Sequence, residues 1–366
     1  MKVLAIVPSI YNTSPGQRFR IEQWEKILRE KGVEITYSPF ETIELNEVLY
    51  KRGHTFRKVR EVLRCFVNRQ KDIKALGNFD LVYLFREAAI LGPAWFERRI
   101  ANSGIPMVFD FDDAIFVPYK SPANGYLSYL KFPQKTATIC SFSSHVIAGN
   151  EYLASYAKRF NRNVTIIPTT IDTEKYKPVE KAENKEVLTI GWSGSLSTVQ
   201  HLDTIREVFK ELAKTERFRL RVIGTGSYKI DGVDVEAMVW RADSEIADLE
   251  KIDIGVMPLP DDEWSRGKCG LKALQYMALG IPTICSPVGV NTKIIQDGEN
   301  GFLASSKEEW VEKLKKLLHS YELRKRFGLA GRKTVEENYS AKVQAPRVFE
   351  IFKSVVENTS GRKNSL

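Results

Sequence analysis

Short apolar runs of strand length alternate along this chain with longer amphipathic stretches, and that order admits few folds. Parallel strands joined by helices on both faces of a sheet produce it, because a strand covered on both sides is apolar throughout while each covering helix needs only one apolar stripe. The runs predict strands at Val3–Val7, Val33–Tyr37, Leu81–Phe85, Met107–Phe111, His145–Ala148 and Val164–Ile167 in the first half. In the second half they predict strands at Leu188–Trp192, Leu220–Ile223, Val235–Val239, Ile254–Met257 and Thr283–Cys285. Helical spacing predicts helices over Gln17–Lys31, Val199–Thr215, Ser244–Lys251, Gly270–Leu279, Lys307–His319, Tyr321–Tyr339 and Val343–Val356. The expected class is α/β with doubly wound parallel sheets.

A chain of 366 residues exceeds the roughly 250–300 residues at which a single core stops growing, so two domains are expected. The polar stretch 177–186 (KPVEKAENKE) has no apolar periodicity and is read as the linker. Domains are expected at 1–180 and 181–342, with 343–366 a helix that crosses back to the first domain and a tail that frays from Glu357. Hydrophobic residues at 43% against 28% charged exclude a disordered chain. Cys65, Cys140, Cys269 and Cys285 lie far apart with no C-x-x-C, which excludes a disulfide scaffold and a zinc module and fits a reducing, cytoplasmic setting. Met1–Pro8 reads as a first strand because its apolar part is too short for a leader. No run approaches the roughly 18 apolar residues of a membrane span, so any membrane role is peripheral. His54, His145, His201 and His319 form no ligand cluster, and no nucleophile, base and acid stand in a hydrolase order.

The stretch from Asp253 to Gly301 is the most informative. A strand breaks at Pro258–Asp262, and the chain resumes through Arg266-Gly267-Lys268-Cys269-Gly270-Leu271 into a helix. A glycine-rich turn that opens a helix presents unpaired N–H groups and a positive dipole end to an anion, and Arg266 and Lys268 add full charges. A diphosphate fits there; the alternative is that the glycines only shape a tight turn.

Three segments, Lys268–Pro282 (KCGLKALQYMALGIP), Ser286–Asn291 (SPVGVN) and Asp297–Leu303 (DGENGFL), resemble the donor-site signature of glycosyltransferase family 4. Val146–Leu153, Ile166–Asp172 and Ile190–Ser195 resemble that family's last strand and exit loop of the first domain and the opening strand and phosphate loop of the second. The resemblance implies the GT-B fold, two Rossmann-like domains facing across a cleft, and transfer of a sugar with retention from a nucleotide-diphosphate donor. It departs from the family at Gly267 and Gln275, where two glutamates are usual, and at Asp112, where a strand-end histidine is usual. Gln275 keeps a hydrogen-bonding group for the donor ribose, and the missing sugar contact falls to backbone N–H groups or to Asp261 and Asp262.

The site residues expected are Asp112 and Lys268 for catalysis, and Arg18, Gly194, Ser195, Thr198, Gly224, Arg241, Arg266, Gly270, Leu271 and Gln275 for the donor. Strand alternation puts Asp110 and Asp112 on one face, so both are candidates to point at the cleft and orient an acceptor hydroxyl. The alternatives are helix capping, pairing with Arg18 or Arg86, and a metal role for Asp-x-Asp. The Ser193–Thr198 loop offers hydroxyls and N–H groups to phosphate, or Ser197 or Thr198 caps the next helix. Trp240 and Arg241 are placed to hold a base. No metal or cofactor is expected; the nucleotide-diphosphate sugar is a co-substrate.

The formal charge of +9 makes an anionic partner plausible. Lys51–Lys74 holds nine Lys or Arg against Glu61 and Asp72. It also interleaves Phe56, Val59, Val62, Leu63, Phe66 and Val67, as a membrane-surface helix does. The alternative is an ordinary helix with its apolar stripe on the sheet. No nucleic-acid module is present. The expected activity is that of a hexosyltransferase acting on a glycan or lipid-linked acceptor in cell-envelope polysaccharide biosynthesis, cytoplasmic or peripheral at the inner face of the membrane. A catalytically weak nucleotide-sugar or glycan binding subunit and a nucleotide-sugar epimerase are the alternatives.

Overall fold

The computed structural model describes residues 1–49, 51, 53–118, 130–195 and 198–363, with side chains to 361. Among the described residues the strands are β1 Lys2–Val7, β2 Glu34–Pro39, β3 Leu81–Phe85, β4 Met107–Phe111, β5 His145–Ala148, β6 Val164–Ile166, β7 Leu188–Ser193, β8 Phe218–Ile223, β9 Asp234–Met238, β10 Ile254–Met257, β11 Thr283–Cys285 and β12 Phe302–Leu303. They form two six-stranded sheets, ordered β2-β1-β3-β4-β5-β6 and β12-β11-β10-β7-β8-β9. Every strand pairing is parallel. β3, β4, β7, β10 and β11 are buried along their whole length, as strands covered on both faces must be.

The chain divides into two compact units, Met1–Thr169 with Gln344–Leu366, and Thr170–Val343. The division thus falls before the polar stretch 177–186 and not near residue 180. The chain from Thr170 onward is already anchored in the second unit. Arg332 donates to the carbonyls of Tyr176 and of Thr173, the latter at 2.8 Å, and Lys181 donates to the carbonyls of Glu250 and of Ile252, the latter at 2.9 Å. The last helix runs from Ala341 to Lys363, so the expected fraying from Glu357 is corrected through residue 363. It returns to the first unit, where Phe352 is buried with its ring 5.9 Å from that of Tyr83.

Two predicted helices are broken. Gln17–Lys31 becomes a turn at Pro15–Gln17, a wide π turn at Arg18–Glu22 and a helix at Gln23–Glu30. The break lies at Phe19 and Arg20, whose backbone leaves helical angles so that Arg20 reaches a buried carboxylate described below. Val199–Thr215 divides into Val199–Asp203 and Arg206–Ala213. The basic segment is a helix over Thr55–Lys74; Arg52 lies outside the described residues.

Candidate functional site

In the second sheet β7 and β10 are adjacent, and the chain leaves them in opposite directions, β7 toward β8 and β10 toward β11. The carboxyl ends of two such strands are where open α/β sheets take ligands. Gly255 on β10 makes room there. A Cβ at that position would stand 2.6 Å from Cγ of Tyr276, and the Tyr276 hydroxyl accepts the Ser193 N–H at 2.7 Å. This pins the end of β7 and the start of the loop that follows.

That loop is more self-contained than expected. The Gly194 N–H donates to the Ile223 carbonyl at 2.8 Å and the Ser195 N–H to Thr198 Oγ1 at 2.9 Å. Both amides are thus engaged within the unit, which corrects the expectation that they stand open to phosphate. Thr198 precedes the helix Val199–Asp203 but its side chain does not cap it, and Ser197 lies outside the described residues. Gly224, at the end of β8 with φ of +138°, packs against the Gly194 backbone.

After β10, Asp262 caps the short helix Glu263–Arg266 by accepting the Ser265 N–H at 2.7 Å, and Asp261 accepts from Arg266 Nε at 2.7 Å on the exposed surface. The two acids named as sugar contacts are therefore a cap and an ion-pair partner. Gly270 takes the left-handed conformation at φ +72° and Leu271 begins the helix Leu271–Ala278. Lys268 Nζ lies 4.8 Å from the centre of the Trp264 ring, and Lys272 Nζ 5.5 Å from that of Trp192. Half-buried ammonium groups are drawn to the negative face of an indole ring, which holds them in place.

His201, passed over as one of four scattered histidines, belongs to this cluster. Burial, with Lys272 and Lys268 nearby and Asp262 opposing, lowers its pKa to about 4. The imidazole is therefore neutral at pH 7, and among the described residues its buried Nδ1 has no hydrogen-bond partner. Two lysine ammonium groups, a neutral imidazole and the start of the helix Leu271–Ala278 lie near one another, a combination suited to an anion. Lys272 follows Lys268 by four residues, a spacing visible in the sequence; His201 gives no such signal.

Gln275 lies elsewhere in its contacts. Its Nε2 donates to Glu245 Oε1 at 3.2 Å and to the Tyr176 hydroxyl oxygen at 3.4 Å. The buried Glu245 carboxylate also accepts from the Tyr176 hydroxyl at 2.8 Å and from Trp240 Nε1 at 3.0 Å. The amide expected to serve a ribose is bonded inward, and so is the indole N–H of Trp240. Arg241 is exposed in the loop after β9.

In the first unit the corresponding strand ends belong to β1, β3 and β4. Arg86, directly after β3 and left-handed at φ +60°, donates from Nε to Asp112 Oδ1 at 2.7 Å and from Nη2 to Asp113 Oδ2 at 2.6 Å. The Arg86 alternative thus describes Asp112, and Arg86 holds Asp113 as well. Asp110 does not point outward with Asp112, which corrects that expectation. It is fully buried, its Oδ2 accepts from Arg20 Nε at 2.7 Å and from the Tyr83 hydroxyl, and its Oδ1 lies 2.6 Å from Arg20 Nη2 as an ion pair. Burial pushes the Asp110 carboxyl above its usual range while Arg20 pulls it down. Arg18 is buried in the π turn of the first unit, whereas the other expected donor residues belong to the second. Among the described residues no three His, Cys, Asp or Glu side chains come together as metal ligands.

Residues 172–334 match the family model described as glycosyl transferases group 1. The chain is 26% identical over 366 aligned residues to the sulfoquinovosyl transferase SQD2 of Arabidopsis thaliana, covering 91% of this chain and 70% of that protein. The sucrose-phosphate synthase of Thermosynechococcus elongatus superimposes with a TM-score of 0.71 at 14% identity, over 98% of this chain and 100% of that one. HepE of Anabaena, solved with UDP and glucose, superimposes with a TM-score of 0.63 at 14% identity, over 97% and 100%. The two six-stranded parallel sheets are those of GT-B structures.

Proposed function

We propose, for a glycosyltransferase whose second unit carries the group 1 domain, that it transfers a hexosyl group with retention from a nucleotide-diphosphate sugar to a glycan or lipid-linked acceptor. The observation that carries this reading is that Lys268 and Lys272 flank the start of the helix Leu271–Ala278, over the Trp264 and Trp192 rings, and that both act on the His201 imidazole. In the transfer, the bond from the anomeric carbon to the diphosphate oxygen breaks and its electron pair leaves with the diphosphate. The acceptor oxygen bonds to the anomeric carbon on the same face and passes its proton to the departing diphosphate oxygen. The two ammonium groups and the helix start meet the charge that grows on the leaving diphosphate, a contribution concentrated in the transition state. His201, neutral in the absence of ligand, donates or accepts a hydrogen bond without adding a third positive charge. Asp112, held by Arg86, orients the acceptor hydroxyl. No metal is required in this scheme, because lysine and backbone groups take its electrostatic role.

The test is incubation with UDP-, GDP- and ADP-hexoses and a panel of glycan and polyprenyl-phosphate acceptors, with the product anomer read by NMR and a parallel assay in chelator. Transfer with the donor's anomeric configuration, undiminished by chelator, is expected; an inverted product overturns retention. A second reading, a nucleotide-sugar binding subunit, is favoured by one observation, the commitment of Gln275 to Glu245 and Tyr176. Tight donor binding with no transfer to any acceptor, and no turnover of donor alone, establishes that reading instead.

A further inference from the structure

The helix Thr55–Lys74 turns a largely polar face inward. It buries Lys58, Glu61, Cys65, Arg69 and Ile73. Arg69 ties it to the unit by donating to the carbonyls of Ala88 at 2.8 Å, Ser38 at 3.0 Å and Val7 at 3.3 Å. Phe66, at its side, packs 5.6 Å from each of Phe40 and Phe96. With these anchors in place, the opposite face is left to water.

That face is apolar at its centre. Phe56, Val59, Leu63 and Val67 are 85%, 52%, 62% and 57% exposed, and their spacing of three and four residues puts them in one stripe. Ile43 of the helix Ile43–Leu49, 68% exposed, adjoins Glu44, whose carboxylate is 3.8 Å from Arg64. By the helical period Arg60, Arg64, Lys71 and Lys74 fall on the same side as the stripe, and all four are exposed. The acids nearest this face, Glu44 and Glu47, pair with Arg64 and Arg57. A stripe of this kind in water is unfavourable in proportion to its area and marks an interaction surface.

We propose that this face docks on an anionic lipid bilayer, with Phe56, Val59, Leu63 and Val67 sunk among the acyl chains and Arg60, Arg64, Lys71 and Lys74 against headgroup phosphates. Charge complementarity selects the bilayer as occupant: an apolar centre flanked by long cationic side chains is the pattern of an interfacial helix, whose stems lie along the apolar layer while the charges reach the headgroups. Among the described residues no helix is long and apolar enough to cross a membrane, so the docking is peripheral. It goes beyond the transfer reaction and does not depend on it.

The charges alone make a poor test here. Lys58 is buried and donates to the Lys51 carbonyl, and Arg60 and Arg64 flank the buried Glu61 carboxylate, so removing them disturbs the fold. The informative variants are Phe56→Ser with Leu63→Ser, and Lys71→Gln with Lys74→Gln, in the full chain. Each is sedimented with vesicles of phosphatidylcholine alone and with 30% phosphatidylglycerol, at low and high salt. The wild type is expected to bind the anionic vesicles at least tenfold better than the neutral ones, and to lose part of that binding in salt as the charges are screened. The serine pair is expected to lose at least tenfold, and the glutamine pair several-fold. UDP binding by calorimetry is expected to stay unchanged in both, which separates failure of the docking from failure of the transferase reading. Wild-type binding equal to that of the serine pair, or no binding by either, overturns the proposal. So does a serine pair that changes only the oligomeric state in light scattering, which assigns the stripe to a second copy of the chain.

Discussion

Gly224 and Gly194 meet backbone to backbone: a Cβ on Gly224 would lie 2.9 Å from the Gly194 carbonyl carbon and closer still to its oxygen. The neighbour is main chain and cannot rotate aside, and φ of +138° at Gly224 already disfavours any other residue. Gly224→Ala is expected to displace the loop after β7 and to cost stability by about 1–3 kcal/mol from strain alone. Chemical denaturation reads the loss, and calorimetry with UDP reads the accompanying fall in affinity; a variant equal to wild type in both contradicts the packing.

Lys268 and Arg266 separate by environment. Lys268→Ala is expected to weaken UDP binding by roughly 2–3 kcal/mol, the scale of a lost hydrogen bond to a charged group. Arg266, exposed and paired with Asp261, is expected to matter less, within about 1 kcal/mol on replacement by Ala. Isothermal titration of both variants checks the ranking, and equal losses would return Arg266 to the site.

The depressed pKa of His201 gives a signed pH dependence. As pH falls below the ordinary value of 6.5, the unfolded chain takes up a proton that the folded chain refuses until about 4. The folded state is therefore fully favoured above 6.5 and loses stability through that window, by up to about 3 kcal/mol. His201→Gln is expected to flatten the difference in urea midpoint between pH 7 and pH 4.5. A diphosphate beside Lys268 and Lys272 screens their charge, so UDP is expected to move the His201 titration upward in nitrogen-detected NMR; a titration blind to UDP removes His201 from the proposed donor site.

Asp110 carries a structural load. Removing its charge leaves Arg20 buried without its carboxylate, and breaking such a pair from one side costs about 3–5 kcal/mol. Asp110→Asn is expected to lower the thermal midpoint sharply. In contrast, Asp112→Asn is expected to cut turnover at least tenfold with donor affinity nearly intact, as steady-state kinetics with an identified acceptor will show.

The strands were legible because buried parallel strands must be apolar from end to end, and the donor-side turn because Gly267 and Gly270 stand between cations. The two-residue β12 carried too little pattern to be seen. The pairing of Asp110 with Arg20 joins residues 90 positions apart, and alternation along β4 gives the side of the sheet but not whether that side is covered. Gln275 and Glu245 likewise meet only in three dimensions. The helix Thr55–Lys74 was amphipathic on paper, but amphipathicity does not say which face turns inward when an arginine such as Arg69 supplies the anchoring bonds.

The first unit is interrupted in sequence, and this sets an order of events on the ribosome. Residues 170–343 must be synthesised before Gln344–Leu366 can join Met1–Thr169, a delay of roughly 10–35 s at about 5–20 residues per second. During that interval the Tyr83 ring, whose hydroxyl serves Asp110, has no Phe352 against it. The nascent first unit therefore waits with an apolar face bare, and completes its packing only after the unit encoded in its middle has had time to fold.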